Sequence, residues 1–180
     1  MEDIKNIIDI LYINEELILK ILREDDVSDE YVNWLNNYEL MRFTEQIYEK
    51  HTIEKVISFV KNKLNSNSEF LFGIFYLGKH IGNIKMGPID YNHKVSDISY
   101  FIGENKYWGK GIASKVVDRV VRFGFENLFL NKINASCYET NYASEKVLKK
   151  CGFELEGIRK KQYIFEGKRV NALLFGKLSN

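Results

Sequence analysis

The sequence predicts an α+β protein, a mixed α/β arrangement of helices around one sheet, and three stretches carry that prediction. Glu69 to Tyr76 and Ile81 to Met86 are apolar, aromatic and β-branched, and Leu77-Gly78-Lys79-His80 between them predicts a hairpin with Gly78 in the turn. A third strand, Val95 to Ile102, passes through Gly103 to Gly111 into a segment whose Val116, Val117, Val120, Val121 and Phe125 recur at helical spacing, closed by Leu128 to Asn131. Lys132 to Tyr138 then reads as a strand and Asn141 to Lys150 as a short helix stopped by Gly152. Phe153 to Lys177 reads as two strands turning at Glu166-Gly167-Lys168. The repeated strand–helix alternation of a doubly wound parallel sheet is missing.

The first third is less regular. Residues 1 to 13 read as a short helix or a frayed leader, and the weak alternation of Leu17 to Arg23 fits an edge strand. Ser28 precedes Asp29, Glu30 and Tyr31 as a helix start, with Tyr31, Trp34 and Leu35 on one face. Thr52 caps a second helix carrying Val56, Phe59, Val60 and Lys63 to Leu64, which the polar run Asn65 to Ser68 ends.

The 180 residues are 45% hydrophobic and 28% charged with one proline, which fits one globular domain over residues 16–180 behind a poorly defined leader, residues 1–15. A net charge of +1, from 26 basic and 25 acidic side chains, offers no global field to nucleic acid or to a membrane. Cys137 and Cys151 read as buried thiols, and three scattered histidines give no metal-ligand spacing. With no apolar run of about 18 residues and no cleavable start, the expected location is cytoplasmic.

Chemistry concentrates at Tyr107-Trp108-Gly109-Lys110-Gly111-Ile112-Ala113-Ser114, where a strand gives way to a helix and two glycines let the backbone come close to a ligand. Free N–H groups there suit phosphate oxygens; the string by itself also fits an ordinary glycine turn. Gly109, Gly111 and Ser114 form a partial G-x-G-x-x-G, but Gly103 to Tyr107 separates the strand from the glycines, unlike a dinucleotide fingerprint.

Trp108 to Ala113 resembles the pyrophosphate loop, Q/R-x-x-G-x-G/A, of the GNAT superfamily of acetyl-CoA-dependent N-acetyltransferases, matching at Gly111 and Ala113, with Trp108 in place of the usual Gln or Arg. Asn141-Tyr142-Ala143-Ser144 and the run Lys149 to Gly157 resemble the N-x-A-S and K-x-G-F-x-x-E-G signatures of the subgroup containing ribosomal-protein-alanine and amino-sugar acetyltransferases. Trp34-Leu35-Asn36 resembles its W-L-N opening, so the likeness runs from about Leu17 to Leu178.

The resemblance implies a splayed, mostly antiparallel sheet of six to seven strands with about four helices. Acetyl-CoA is then the co-substrate, its pantetheine arm pairing with the strand at Phe101 and Ile102. Its phosphates would lie on Trp108, Gly109, Lys110, Gly111, Ile112, Ala113 and Ser114, with Lys115, Lys146 or Lys150 in reach, while Asn141 and Ser144 approach the sulfur. The Ile102 N–H would bind the oxyanion and Asp97 stands where several relatives carry a catalytic glutamate. Glu139 and Glu45 compete for the base role or for a cationic substrate, and a water chain is the remaining route. Leu148 occupies the place of the usual proton-donating tyrosine, leaving Ser144 or Tyr142 to donate; a thiol of pKa about 8.5 leaves tolerably well without full protonation. Trp34 and Glu45 are expected to contact the acceptor, with Phe43, Tyr48 and Tyr91 as further aromatic lining. The implied acceptor is a small-molecule primary amine such as an amino-sugar nucleotide, attacking directly in a ternary complex. A protein N-terminus is second and polyamines or drugs third; a non-catalytic CoA-binding regulatory module is the alternative of a different class, and the reading leaves room for a homodimer.

Overall fold

The computed structural model describes residues 9–179 and arranges them as one eight-stranded sheet in the order β1-β2-β3-β4-β5-β6-β8-β7. The strands are β1 (Ile10–Tyr12), β2 (Leu17–Ile21), β3 (Phe70–Tyr76), β4 (Lys79–Asp90), β5 (Val95–Ile102), β6 (Lys132–Tyr138), β7 (Glu154–Phe165) and β8 (Lys168–Leu178). Five α-helices accompany them: α1 (Asp29–Leu35), α2 (Tyr38–Met41), α3 (Ile53–Leu64), α4 (Ile112–Glu126) and α5 (Tyr142–Lys150). Every pairing is antiparallel except β5 with β6.

The predicted hairpins form where two consecutive positive-φ residues fit the right-handed twist of paired strands: Leu77 and Gly78 join β3 to β4, and Glu166 and Gly167 join β7 to β8. Four helices begin as their sequences direct, with Ser28, Asn37, Thr52 and Asn141 accepting the N–H of Tyr31, Leu40, Lys55 and Ser144.

The core has two layers, one on each face of the sheet. On one face α4 lays Val116, Val117, Val120, Val121 and Phe123 against Phe70, Phe72, Ile84, Met86, Ile98 and Ile133. Each of these valines is at most 1% exposed, and at roughly 1.5–3 kcal/mol per fully buried side chain that stripe fixes α4 on the sheet. On the other face α1 and α3 bury Tyr31, Trp34, Leu35, Val56 and Val60 with Leu22 and Leu71.

The structure corrects several expectations. Within residues 1 to 13, Ile10–Tyr12 is a strand, its Leu11 buried opposite Leu19; the part of that reading on residues 1–8 lies outside the described residues. Because β1 takes the outer position, β2 is an interior strand rather than the edge expected over Leu17 to Arg23, and Leu17, Leu19 and Ile21 are buried on one face. The sheet therefore has eight strands instead of six to seven. The fifth helix is α2, a single turn too short for a periodic signal. Finally β4 does not stop at Met86: Ile89 and Asp90 pair with Ser96 and Val95 beyond an irregularity that includes Pro88.

Gly103 ends β5 directly beneath the Trp34 indole, where a Cβ would overlap the ring. Trp34 is 5% exposed and packed edge-on against His80 and Phe101, so it has no room to yield. Gly103→Ala should lower stability by about 1–3 kcal/mol, read from the denaturant midpoint, with a change in tryptophan fluorescence of the native state.

Candidate active site

The site is a gap in the sheet. β5 and β6 share only the rungs Val95–Lys132, Ser96–Ile133 and Asp97–Asn134, after which the strands part. Gly103 donates its N–H to Ile81 O on the β4 side. By alternation along a strand, the N–H and C=O of Ile102 and Tyr100 therefore face the gap. Trp108 turns back and donates its indole Nε1–H to the Ile102 carbonyl at 3.0 Å, which leaves the neighbouring N–H of Ile102 as the donor edge. Cofactor candidates Phe101, Ile102 and Trp108 are thus brought to the same strand end, although Phe101 turns its ring away from the gap onto Trp34 and Tyr31.

At the far end of the gap stands the N-terminus of α4. Gly109 and Gly111 have φ of 72° and 75°, left-handed values that glycine adopts without strain, and open space surrounds the position a Cβ would take on each. The N-cap Gly111 offers no side chain, and the first turn of α4 holds no acidic residue, whereas α1, α2, α3 and α5 each have both a polar cap and an acid there. The first-turn N–H groups of α4 have no intrahelical acceptor and carry the positive end of its dipole. Lys110 lies 5.8 Å from the Tyr107 ring centroid and is exposed, as are Lys115, Lys146 and Lys150, while Ile112 and Ser114 are buried under the turn and Ala113 is half-buried.

α5 supplies the other wall. The Asn141 side chain caps it through Ser144 N–H at 3.2 Å, and Ser144 Oγ lies 3.0 Å from the Tyr100 hydroxyl. That hydrogen bond spans from β5 to α5. Burial pushes the Tyr100 phenol above its ordinary range, the serine opposing in part, so it is a proton-bearing hydroxyl at neutral pH. The sequence hinted at this residue only as a tyrosine in the apolar row Ile98, Tyr100, Ile102; its pairing with Ser144 joins positions 44 apart. Leu148 is fully buried in the core and Tyr142 is 71% exposed. Of the proposed proton donors, Ser144 is the one held in a hydrogen bond.

Asp97 occupies the last rung of the β5–β6 ladder, at the vertex of the gap, and is exposed beside a cavity of about 560 Å³ lined also by Asp90 and Tyr91. Glu139 is engaged elsewhere: Asn171 donates its backbone N–H at 2.7 Å and its side-chain amide at 2.8 Å to the two carboxylate oxygens. Asn171 Oδ1 in turn accepts the Lys161 N–H at 2.8 Å, so Glu139 fastens a bulge in β7. Glu45 lies in a turn after α2, where its Oε1 accepts the Tyr138 hydroxyl at 3.3 Å.

Tyr138 stacks on Tyr163 at 4.1 Å and Phe43 on Phe165 at 4.9 Å, forming an aromatic wall between the α2–α3 connection and the terminal hairpin. Phe43 of the expected aromatic lining belongs to this wall and Tyr48 is exposed nearby. Tyr91 is tied by its hydroxyl to Asn67 O, and Trp34 lines a separate cavity of about 410 Å³ with Asn33, Asn37, Leu40 and Glu104.

Cys137 and Cys151 are free and buried, as expected. Cys137 lies on β6 opposite Leu173, and burial, reinforced by the Glu145 charge, pushes its thiol up to about 11. At pH 8 only roughly one molecule in a thousand then carries the thiolate, far below an ordinary cysteine. Iodoacetamide should leave Cys137 unmodified at pH 8 in the native protein and label it after denaturation, which peptide mass mapping checks; rapid native labelling would show the site to be open.

With this geometry in hand, comparison with known proteins is direct. The profile of the acetyltransferase (GNAT) domain matches residues 16–154, and the chain belongs to that family. It is 33% identical over 98 residues to the uncharacterized N-acetyltransferase p20 of Bacillus licheniformis, covering 54% of each chain, so it spans about half the length of that relative. It is 26% identical over 157 residues to the spermidine N(1)-acetyltransferase of Escherichia coli (strain K12), covering 86% of this chain and 82% of the other. The ribosomal L7/L12 α-N-protein acetyltransferase RimL, solved in complex with coenzyme A, shares the fold with a TM-score of 0.85 at 18% identity, covering 94% and 97%.

Proposed function

We propose that the protein is an acetyl-CoA-dependent N-acetyltransferase that passes acetyl to a primary amine by direct attack. The observation that carries this reading is the gap between β5 and β6 ending at α4, which among the described residues is the one α-helix with neither a side-chain cap nor an acid in its first turn. Its chemistry suits a ligand that is amide-bearing along one part and polyanionic at the other. The N–H groups of Gly111 to Ser114 and the exposed Lys110 suit pyrophosphate, and the free backbone edge at Ile102 suits the amides of a pantetheine arm. Family membership and the activities of the spermidine enzyme and of RimL support the same class.

Acetyl-CoA supplies the thioester. The chain's own residues then have three tasks. Asp97, at the vertex, takes the proton of the attacking ammonium, directly or through a water. The Ile102 N–H meets the developing oxyanion. Ser144 Oγ gives its proton to the departing sulfur and is replenished by the Tyr100 hydroxyl 3.0 Å away. Nitrogen–carbon bond formation and carbon–sulfur cleavage leave an amide and a thiol; of the two protons the ammonium sheds, the first passes from Asp97 to solvent and the second, released as the amide forms, returns through water to the Tyr100–Ser144 pair, which ends as it began. Among acceptors, a small-molecule amine ranks first, with amino-sugar nucleotides leading, and protein N-termini second.

Free-thiol release from acetyl-CoA across amino-sugar nucleotides, Ser- or Ala-initiated peptides and polyamines tests this. Asp97→Asn should lower kcat about 100-fold, whereas Ser144→Ala should cost only about tenfold because a thiolate is a fair leaving group. Gly111→Val should raise the acetyl-CoA Kd about tenfold, combining left-handed strain with loss of close approach. Tight acetyl-CoA binding without thiol release on any amine would instead make the chain a CoA-binding regulatory module.

A further inference from the structure

The terminal hairpin carries a concentration of positive charge that the chemistry above does not use. Between Arg159 and Arg169 lie Arg159, Lys160, Lys161, Lys168 and Arg169, opposed only by Glu166, in a chain whose total charge is +1. All five are exposed. Among the described residues none of the five makes an ion pair, whereas Lys20, Lys63, Lys79, Lys85, Lys106, Lys132 and Lys149 all do.

These cations border the aromatic wall. Phe165 pairs with Lys168, Arg159 with Ala172, and Ala172 with Tyr138; directly opposed residues share a sheet face, so Lys168 and Arg159 project on the same side as Phe165 and Tyr138. Between them the β7 bulge holds Lys161 at a φ of 54°, fixed by Asn171 through its N–H and by Arg169 Nη1 on its carbonyl at 3.3 Å. A bulge clamped from two sides holds these charges in a set place.

Resting on the acetyltransferase reading, the geometry points to a phosphate-bearing acceptor: Arg159, Lys161 and Lys168 hold the phosphates of an amine substrate whose amino group reaches the gap past Tyr138 and Phe165. Lysines on an edge strand also guard against edge-to-edge pairing. That role would not place arginine and lysine on the face shared with the aromatic wall, nor tether the bulge through Glu139 and Asn171. A polyamine acceptor meets repulsion from the same charges, which separates this chain from its spermidine-acetylating relative.

Steady-state kinetics at saturating acetyl-CoA should compare a nucleoside-diphosphate amino sugar, the same amino sugar without phosphate, an acidic peptide and spermidine. Calorimetric titration of the nucleotide sugar into CoA-loaded protein runs alongside. The nucleotide sugar is expected to exceed spermidine at least about tenfold in kcat/KM. The triple variant Arg159→Gln, Lys161→Gln, Lys168→Gln should raise its KM and Kd about tenfold, with kcat and the acetyl-CoA KM unchanged. Raising salt should act in the same direction. Lys168→Gln alone, at an exposed turn, should give about a threefold shift and serves if the triple variant does not fold. Preference for spermidine or for the acidic peptide, or a triple variant that binds the nucleotide sugar as tightly as the parent, overturns the assignment. Absence of thiol release with every amine would overturn the enzyme class, and the calorimetric arm would still decide the hairpin.

Discussion

The structure turns on a ladder that stops. β5 and β6 meet over the rungs from Val95 to Asp97 and then diverge, and beyond the last rung the Tyr100–Ser144 hydrogen bond ties β5 to α5. Unpaired backbone groups in a sheet interior are costly, about 1–3 kcal/mol each when shut away from water. The gap is therefore stable only where a ligand, solvent or a side chain meets those groups, and Trp108 already answers the Ile102 carbonyl. What remains on β5 is the Ile102 N–H with the N–H and C=O of Tyr100, and a chain of amides is the natural complement. Asp97 inherits its place from the same constraint, because the last rung of the ladder is also the vertex of the opening.

Charge is partitioned around this gap. Among the described residues every α-helix but α4 opens with an acid and a polar cap, so the positive end of α4 keeps N–H groups that no side chain answers. Half of the lysines elsewhere among the described residues are matched by acids, while the terminal hairpin keeps all five of its cations outside ion pairs beside the aromatic wall. On the proposed function these two cationic regions serve donor and acceptor, the second beside Tyr138, which is tied to Glu45 and stacked on Tyr163.

Glu139 shows how a carboxylate's neighbours in sequence mislead. Beside Asn141 it looks like a base, yet its two oxygens accept hydrogen bonds from Asn171, which in turn holds the Lys161 bulge. The edge strand expected at Leu17 to Arg23 failed for a related reason. Local alternation reports one buried face, and it says nothing about whether another strand, here β1, takes the outer hydrogen bonds.

The sequence by itself determined the elements whose signals are local. Hairpin turns needed Leu77-Gly78 and Glu166-Gly167, helix starts needed Ser28, Thr52 and Asn141, and the glycine loop before α4 was legible because only glycine enters left-handed conformations cheaply. Those features, together with the motif spacing, were enough to reach the family. Tertiary structure alone decided which side chains converge: Tyr100 on Ser144, Glu45 on Tyr138, Asn171 on Glu139, and Arg159 and Lys168 on one face of the hairpin. Each such pair joins residues on different strands or helices, and their meeting is set by strand order and register, which the packing of the two core layers selects and no local pattern encodes.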